Sequence, residues 1–142
     1  MVKLRLFERM SAAAKNKEGN APPTGDALLQ SICDYVAKLL NSREGSTLLD
    51  PTFGMPDFTH SGAVFSADDE PLLRQKIAQF IRANEPRLKN IQIAFVPREE
   101  THSALSFSIS AQLREDREST GDDAAVHFYS DVSPQGKVDV RL

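Results

Sequence analysis

Within "DALLQSICDYVAKLLN" the apolar residues Leu28, Leu29, Ile32, Val36, Leu39 and Leu40 recur at intervals of three and four. That spacing gathers them on one broad face and predicts an amphipathic helix over residues 26–41. Thr24 or Asp26 can cap its start, and Asn41 can adopt a left-handed turn at its end. The same period returns in "SADDEPLLRQKIAQFIRAN", residues 66–84, with Leu73, Ile77, Phe80 and Ile81 on the inner face. Ser66 and Asp69 have capping-box spacing, and Pro71 is tolerable only in the first turn. Pro86 drives Glu85 out of helical geometry, so this helix ends near Asn84.

The period then changes from 3.6 to 2. Ile91, Ile93 and Phe95 alternate with Gln92 and Ala94, and in "LSFSISAQL", residues 105–113, every odd position is apolar and every even one is Ser or Gln. Such a strand sets one face on a core and the other in water. "AAVHFYS", residues 124–130, and "KVDVRL", residues 137–142, continue the series, with "SPQG" at 133–136 supplying the turn between them. The predicted fold class is α+β, with two helices packed on one face of a mainly antiparallel four-stranded sheet.

The N-terminal segment reads differently. Residues 11–25, "SAAAKNKEGNAPPTG", have the small, polar and Pro/Gly-rich composition of a flexible linker, and Leu4, Leu6, Phe7 and Met10 precede them as a detached apolar cluster. This divides the chain into an arm and linker over 1–25 and a single domain over 26–142. The cluster either packs back on the domain or docks on a partner.

At 142 residues the chain suits one domain, and its single cysteine, Cys33, reads as a small buried hydrophobe in a reducing compartment. The net charge of −3 gives no general attraction to nucleic acid or an anionic membrane. Lys3, Arg5, Arg9, Lys15 and Lys17 against Glu8 and Glu18 make the first twenty residues +3, which leaves −6 for the rest. Charges interrupt the opening stretch too often for a signal peptide, and no run approaches a membrane span, so the expected location is cytoplasmic without direct membrane insertion.

Little chemistry is offered. His60 follows Asp57 by three on a Pro- and Gly-rich loop, His102 has no partner pattern, and His127 falls on the solvent side of its strand, so no metal is expected. No phosphate loop, dinucleotide fingerprint or nucleophile elbow is present, which leaves no cofactor to expect. Glu44, Asp50, Asp57 and Glu85 sit in loops or at a helix end and could supply the two carboxylates of a glycosidase. A sugar cleft normally adds aromatic platforms, however, and the chain has no Trp and two Tyr.

Two places suggest contacts with other proteins. Pro86 holds Glu85 and Arg87 with little freedom to lose on binding, and Arg87 could pair with a partner carboxylate. Alternatively, or at the same time, Glu85 and Arg87 pair within the domain, with Arg43, Glu44 or Asp50 as further partners. The closing strand, where Val138, Val140 and Leu142 alternate with Asp139 and Arg141, reads as a sheet edge whose backbone another chain could extend. Between the helices, residues 41–62 form a long connection. Asp50-Pro51, Gly54 and Met55-Pro56-Asp57 stiffen it, and Leu48, Leu49, Phe53, Met55 and Phe58 offer anchors.

The order "LFERM", "LLNSREGSTLLDPTFGMPDF", a helix, "EPRL" and a terminal run of strands resembles the TssE family of type VI secretion baseplate proteins. A small baseplate wedge protein of contractile phages, often labelled lysozyme-like, belongs to the same family. The resemblance implies a non-enzymatic structural component of the baseplate wedge that links wedge subunits to the contractile sheath and helps initiate sheath polymerisation. It implies wedge partners of the TssF, TssG and TssK type and sheath partners of the TssB and TssC type. It places the assembly on the cytoplasmic side of the inner membrane and assigns Glu85, Pro86 and Arg87 to wedge contacts. A peptidoglycan hydrolase is the alternative.

Overall fold

The computed structural model describes residues 5–15, 25–43, 45–51, 53–55, 70–96, 105–114 and 124–142. Its elements in chain order are α1 (Leu6–Lys15), α2 (Gly25–Leu40), α3 (Glu70–Asn84), β1 (Leu88–Phe95), β2 (Leu105–Leu113), β3 (Ala125–Val132) and β4 (Val138–Arg141). Helices α2 and α3 coincide with the three-and-four periodicity, and α3 stops at Asn84 with Pro71 in its first turn. Thr24, Ser66 and Asp69 lie outside the described residues.

The strands follow one another in the order β1-β2-β3-β4, and every pairing is antiparallel. One face of the sheet carries Leu88, Ile91, Ile93, Phe107, Ile109, Ala111, Val126, Phe128, Val132 and Val138. These join Ile32, Cys33, Val36 and Leu40 of α2 and Leu73, Ile77 and Ile81 of α3 in one core. The helices therefore cover one face only, as the alternation of apolar and polar strand residues predicts. Phe95 and Phe107 face each other across β1 and β2 with ring centroids 5.9 Å apart, a tilted pair that favours this register. On the opposite face Ser106 donates to Asp131 at 2.8 Å, and Ser110 lies 3.1 Å from exposed His127 Nδ1.

Strand β1 begins three residues before its apolar alternation does. One extra residue is inserted between Lys89 and Gln92, and Asn90 there has φ 52°. This bulge lets Leu88 and Ile91, an odd three apart, face the same core. The β3–β4 turn is closed by Ser133 and Gly136, and Gly136 takes φ 82°, where a side chain would be strained.

Two expectations need correction. Helix α1 runs through Ser11–Lys15, where composition predicts a linker, because Ala12–Ala14 are the strongest helix formers available. It contributes no core residue among those described, so the two-helix layer stands with a third helix beside it. Asn41 does not take the left-handed turn: among the described non-glycine residues only Asn90 has positive φ. Its side chain instead donates to Ala37 C=O at 2.7 Å and bonds the backbone of Val138. Of the connection after α2, Met55 is buried and forms a parallel bridge with Arg43, and Phe53 packs edge-on against Phe80 at 5.4 Å. Leu48 and Leu49 anchor nothing within the described structure and are fully exposed. Leu4, Glu44, Asp57, Phe58, His60 and His102, and linker residues 16–24, lie outside the described residues.

Candidate functional site

The end of α3 explains its proline. Glu85 N–H donates to Ile81 C=O at 2.7 Å as the last helical bond, and Leu88 N–H returns to Glu85 C=O at 3.3 Å. Residues 85–88 thus form a β-turn with Pro86 in its second place, where a fixed φ is favourable. The turn reverses the chain from α3 into β1, and Arg114 N–H to Arg87 C=O at 2.8 Å ties it to the end of β2.

Glu85 is fully buried within this turn, and Pro86 is exposed. Arg87 reaches back two residues: its Nε donates to Glu85 Oε1 and its Nη2 to Oε2, both at 2.8 Å, while its own N–H adds a third bond to Oε1 at 3.1 Å. Such a fork is the strong form of a carboxylate–guanidinium contact. Of the two alternatives for this pair, internal pairing is the one observed. The residues that meet it are Arg5, just before α1, Glu8 of α1 and Ser31 of α2. Arg87 Nη1 donates to Ser31 Oγ at 2.9 Å, Ser31 Oγ donates to Glu8 Oε2 at 2.6 Å, and the same oxygen accepts Arg5 N–H at 2.9 Å. Arg5 closes the circuit, with Nη2 3.9 Å from Glu85 Oε2 and its guanidinium stacked on the Tyr35 ring.

Helix α1 is therefore attached by its polar side. Leu6, Phe7 and Met10 remain 59, 79 and 58% exposed. Of the two readings of the apolar cluster, packing back holds for the segment but not for its apolar residues: Arg5 and Glu8 turn inward while Leu6, Phe7 and Met10 lie in water.

Burial by itself would raise the Glu8 pKa, but the hydrogen bonds from Ser31 and Arg5 and the charges of Arg87 and Arg5 outweigh it, so the pKa lies below its ordinary 4.5. A depressed carboxylate pKa stabilises the attached form above the ordinary value and ceases to do so as pH falls through the attached value. Amide exchange of α1 is accordingly expected to accelerate, beyond the intrinsic pH effect, on acidification through that window. Glu8→Gln should abolish the step.

The C-terminal residues are less uniform than their alternation suggests. Val138 is buried, Val140 half-buried and Leu142 exposed. The backbone of Val138 is bonded by Asn41, so this part of the edge is not unpaired. Among the described residues no group of His, Cys, Asp and Glu could hold a metal ion, and no helix is long and apolar enough to cross a membrane. Burial and, secondarily, Asp34 raise the pKa of the Cys33 thiol above its ordinary 9.0, which suits packing rather than nucleophilic attack.

Ser31, Tyr35, Glu8, Arg5 and Asn41 are the site residues that periodicity does not single out. Ser31 and Tyr35 lie four apart beside the apolar face of α2, and Arg5, just before α1, lies three residues from Glu8 in its first turn. That spacing is a signal only once the two helices are known to meet.

A family model described as baseplate wedge protein gp25 matches residues 26–118. No curated protein sequence matches the chain. Among solved structures, a chain of the baseplate complex from the type VI secretion system is similar at 18% identity, with TM-score 0.60 over 75% of this chain and 93% of that one. A structure described as a tail lysozyme from Geobacter sulfurreducens is similar at 15% identity, with TM-score 0.54 over 87% of this chain and 95% of that one. At these identities the structural likeness establishes the fold.

Proposed function

The chain belongs to the baseplate wedge protein gp25 family, and from that premise we propose that it is a non-enzymatic structural component of a type VI secretion baseplate wedge, joining wedge subunits to the contractile sheath. The observation that carries the wedge contact is the inverted polarity of α1. Glu8, with Arg5 just before the helix, locks onto Ser31, Glu85 and Tyr35, while Leu6, Phe7 and Met10 face solvent, and Pro86 is exposed as well. Burying one such apolar side chain is worth roughly 1.5–3 kcal/mol. The wedge partner of the TssF, TssG or TssK type therefore offers an apolar groove, and the +3 charge of the first twenty residues suits a rim of carboxylates. Glu85 and Arg87 act here by fixing α1 and the turn, and Pro86 and the apolar residues of α1 make the contact. The sheath contact, with proteins of the TssB and TssC type, falls at the exposed end of β4 around Val140 and Leu142, and the assembly works on the cytoplasmic side of the membrane.

The hydrolase alternative gains nothing from Glu85. A general acid must reach its substrate, and this carboxylate is fully buried with both oxygens on Arg87.

Co-purification with wedge components tests the reading. The unaltered chain should capture them. Phe7→Ala should weaken capture about thirtyfold, the effect of a contact worth about 2 kcal/mol, and a triple Leu6→Ser, Phe7→Ser, Met10→Ser variant should abolish it. Because these residues are exposed, the isolated variants should keep their stability to within about 0.5 kcal/mol. Equal capture by the folded triple variant would sink the proposal.

A further inference from the structure

Helix α2 runs beside the outer margin of β4 and meets its backbone most closely at Val138. Ser133 N–H bonds Lys137 C=O at 2.8 Å, and the register pairs Asp131 with Asp139 and Tyr129 with Arg141. Odd-numbered residues of β4 therefore bond inward to β3, and Val138 and Val140 turn their N–H and C=O outward. One side chain takes both outward groups of Val138. Asn41 Oδ1 accepts from Val138 N–H at 2.8 Å, and Asn41 Nδ2 donates to Val138 C=O at 2.7 Å. A residue of a neighbouring strand would make this same pair of bonds. The second Nδ2 hydrogen is held by Ala37 C=O at 2.7 Å, which orients the amide. One helical turn further back, the Cys33 thiol lies 3.4 Å from Val140 C=O. Cys33, Ala37 and Asn41 are spaced by four and run as one stripe of α2 along the strand.

We propose that Asn41 is an edge guard: it stands in for a missing neighbour strand, prevents two copies of this chain from pairing through β4, and confines an incoming sheath strand to Val140–Leu142. The last part rests on the sheath contact proposed above; the first two do not. Edge strands of natural proteins need such protection, and here the end of a helix supplies it in place of a charge or a proline.

The test compares the isolated chain with Asn41→Ala by amide exchange and sedimentation velocity. The unaltered chain should sediment as a monomer with a protected Val138 amide. Asn41→Ala should speed exchange at Val138 about tenfold, the loss of one hydrogen bond, with the β2 amides unchanged, and should produce concentration-dependent dimers. Should Asn41→Ala fail to fold, Asn41→Ser decides by the same readouts: its shorter, uncharged side chain cannot reach both groups of Val138, so exchange at Val138 should rise and dimers should appear. Unchanged exchange in Asn41→Ala, or a freed amide without dimers, overturns the proposal, as does a dimeric unaltered chain paired through β4. Sheath capture by the unaltered chain is measured separately, so its absence would remove the sheath reading and leave the guard standing.

Discussion

Arg87→Ala is expected to lower the unfolding free energy of the isolated chain by about 3–5 kcal/mol, the usual consequence of removing one partner from a buried ion pair. Glu85 has no exposed surface, and the Arg87 side chain is 10% exposed. Without the guanidinium the carboxylate keeps one N–H bond from residue 87 and Arg5 at 3.9 Å, too little to replace its lost hydration. Against a typical total of about 5–15 kcal/mol this is a large fraction. It should appear as a lower urea midpoint at unchanged slope. Arg141→Ala supplies the contrast. Arg141 pairs with Asp131 where the side chains are 69 and 34% exposed, and its loss should stay within about 1 kcal/mol. Replacing both members of the buried pair, Glu85→Leu with Arg87→Met, should recover much of the loss, because no orphaned charge remains. A change below about 1 kcal/mol in Arg87→Ala would contradict the buried pair. Because a destabilisation of that size lowers the folded fraction, weakened wedge assembly by Arg87→Ala does not by itself identify a contact, and substitutions at exposed Pro86 or Phe7 are the cleaner probes.

The second large effect separates two residues of one alternating strand. Val138→Asp should leave little or no folded protein, because it places an unpaired carboxylate at a site 2% exposed within the core. Leu142→Asp, at a site 51% exposed, should change stability by less than about 0.5 kcal/mol. Circular dichroism and a melting curve check both. If β4 meets the sheath as proposed, Leu142→Asp should also reduce capture of sheath protein by the folded chain. Deleting residues 137–142 could not give that answer, since it would remove Val138 from the core and its bonds to Asn41.

Much of this fold is readable along the chain because one physical requirement repeats. Leu28, Ile32 and Val36, or Phe107, Ile109 and Ala111, must face one core, and their spacing reveals the element. Asn90 shows where that breaks down. A single inserted residue changes the phase, so Leu88 looks detached from Ile91 although both are buried. The site was less legible for a related reason. Glu85 and Arg87 stand out beside a proline, but whether they pair with each other or with a partner depends on Ser31 and Glu8, which lie 56 and 23 residues from their own hydrogen-bond partners Arg87 and Ser31. No local pattern encodes such meetings. The same holds for Asn41, whose helix-ending role is local while its grip on Val138 spans 97 residues.

A helix held by ions and hydrogen bonds on one side, with oily residues on the other, answers ionic strength in two opposite ways. Added salt screens Arg5 from Glu85 and loosens the tether to the chain's own body. The same salt, if strongly hydrated like sulfate, tightens whatever grips Leu6, Phe7 and Met10. Brine should therefore hand α1 over from its own domain to its neighbour, so that the two attachments are exchanged rather than lost together.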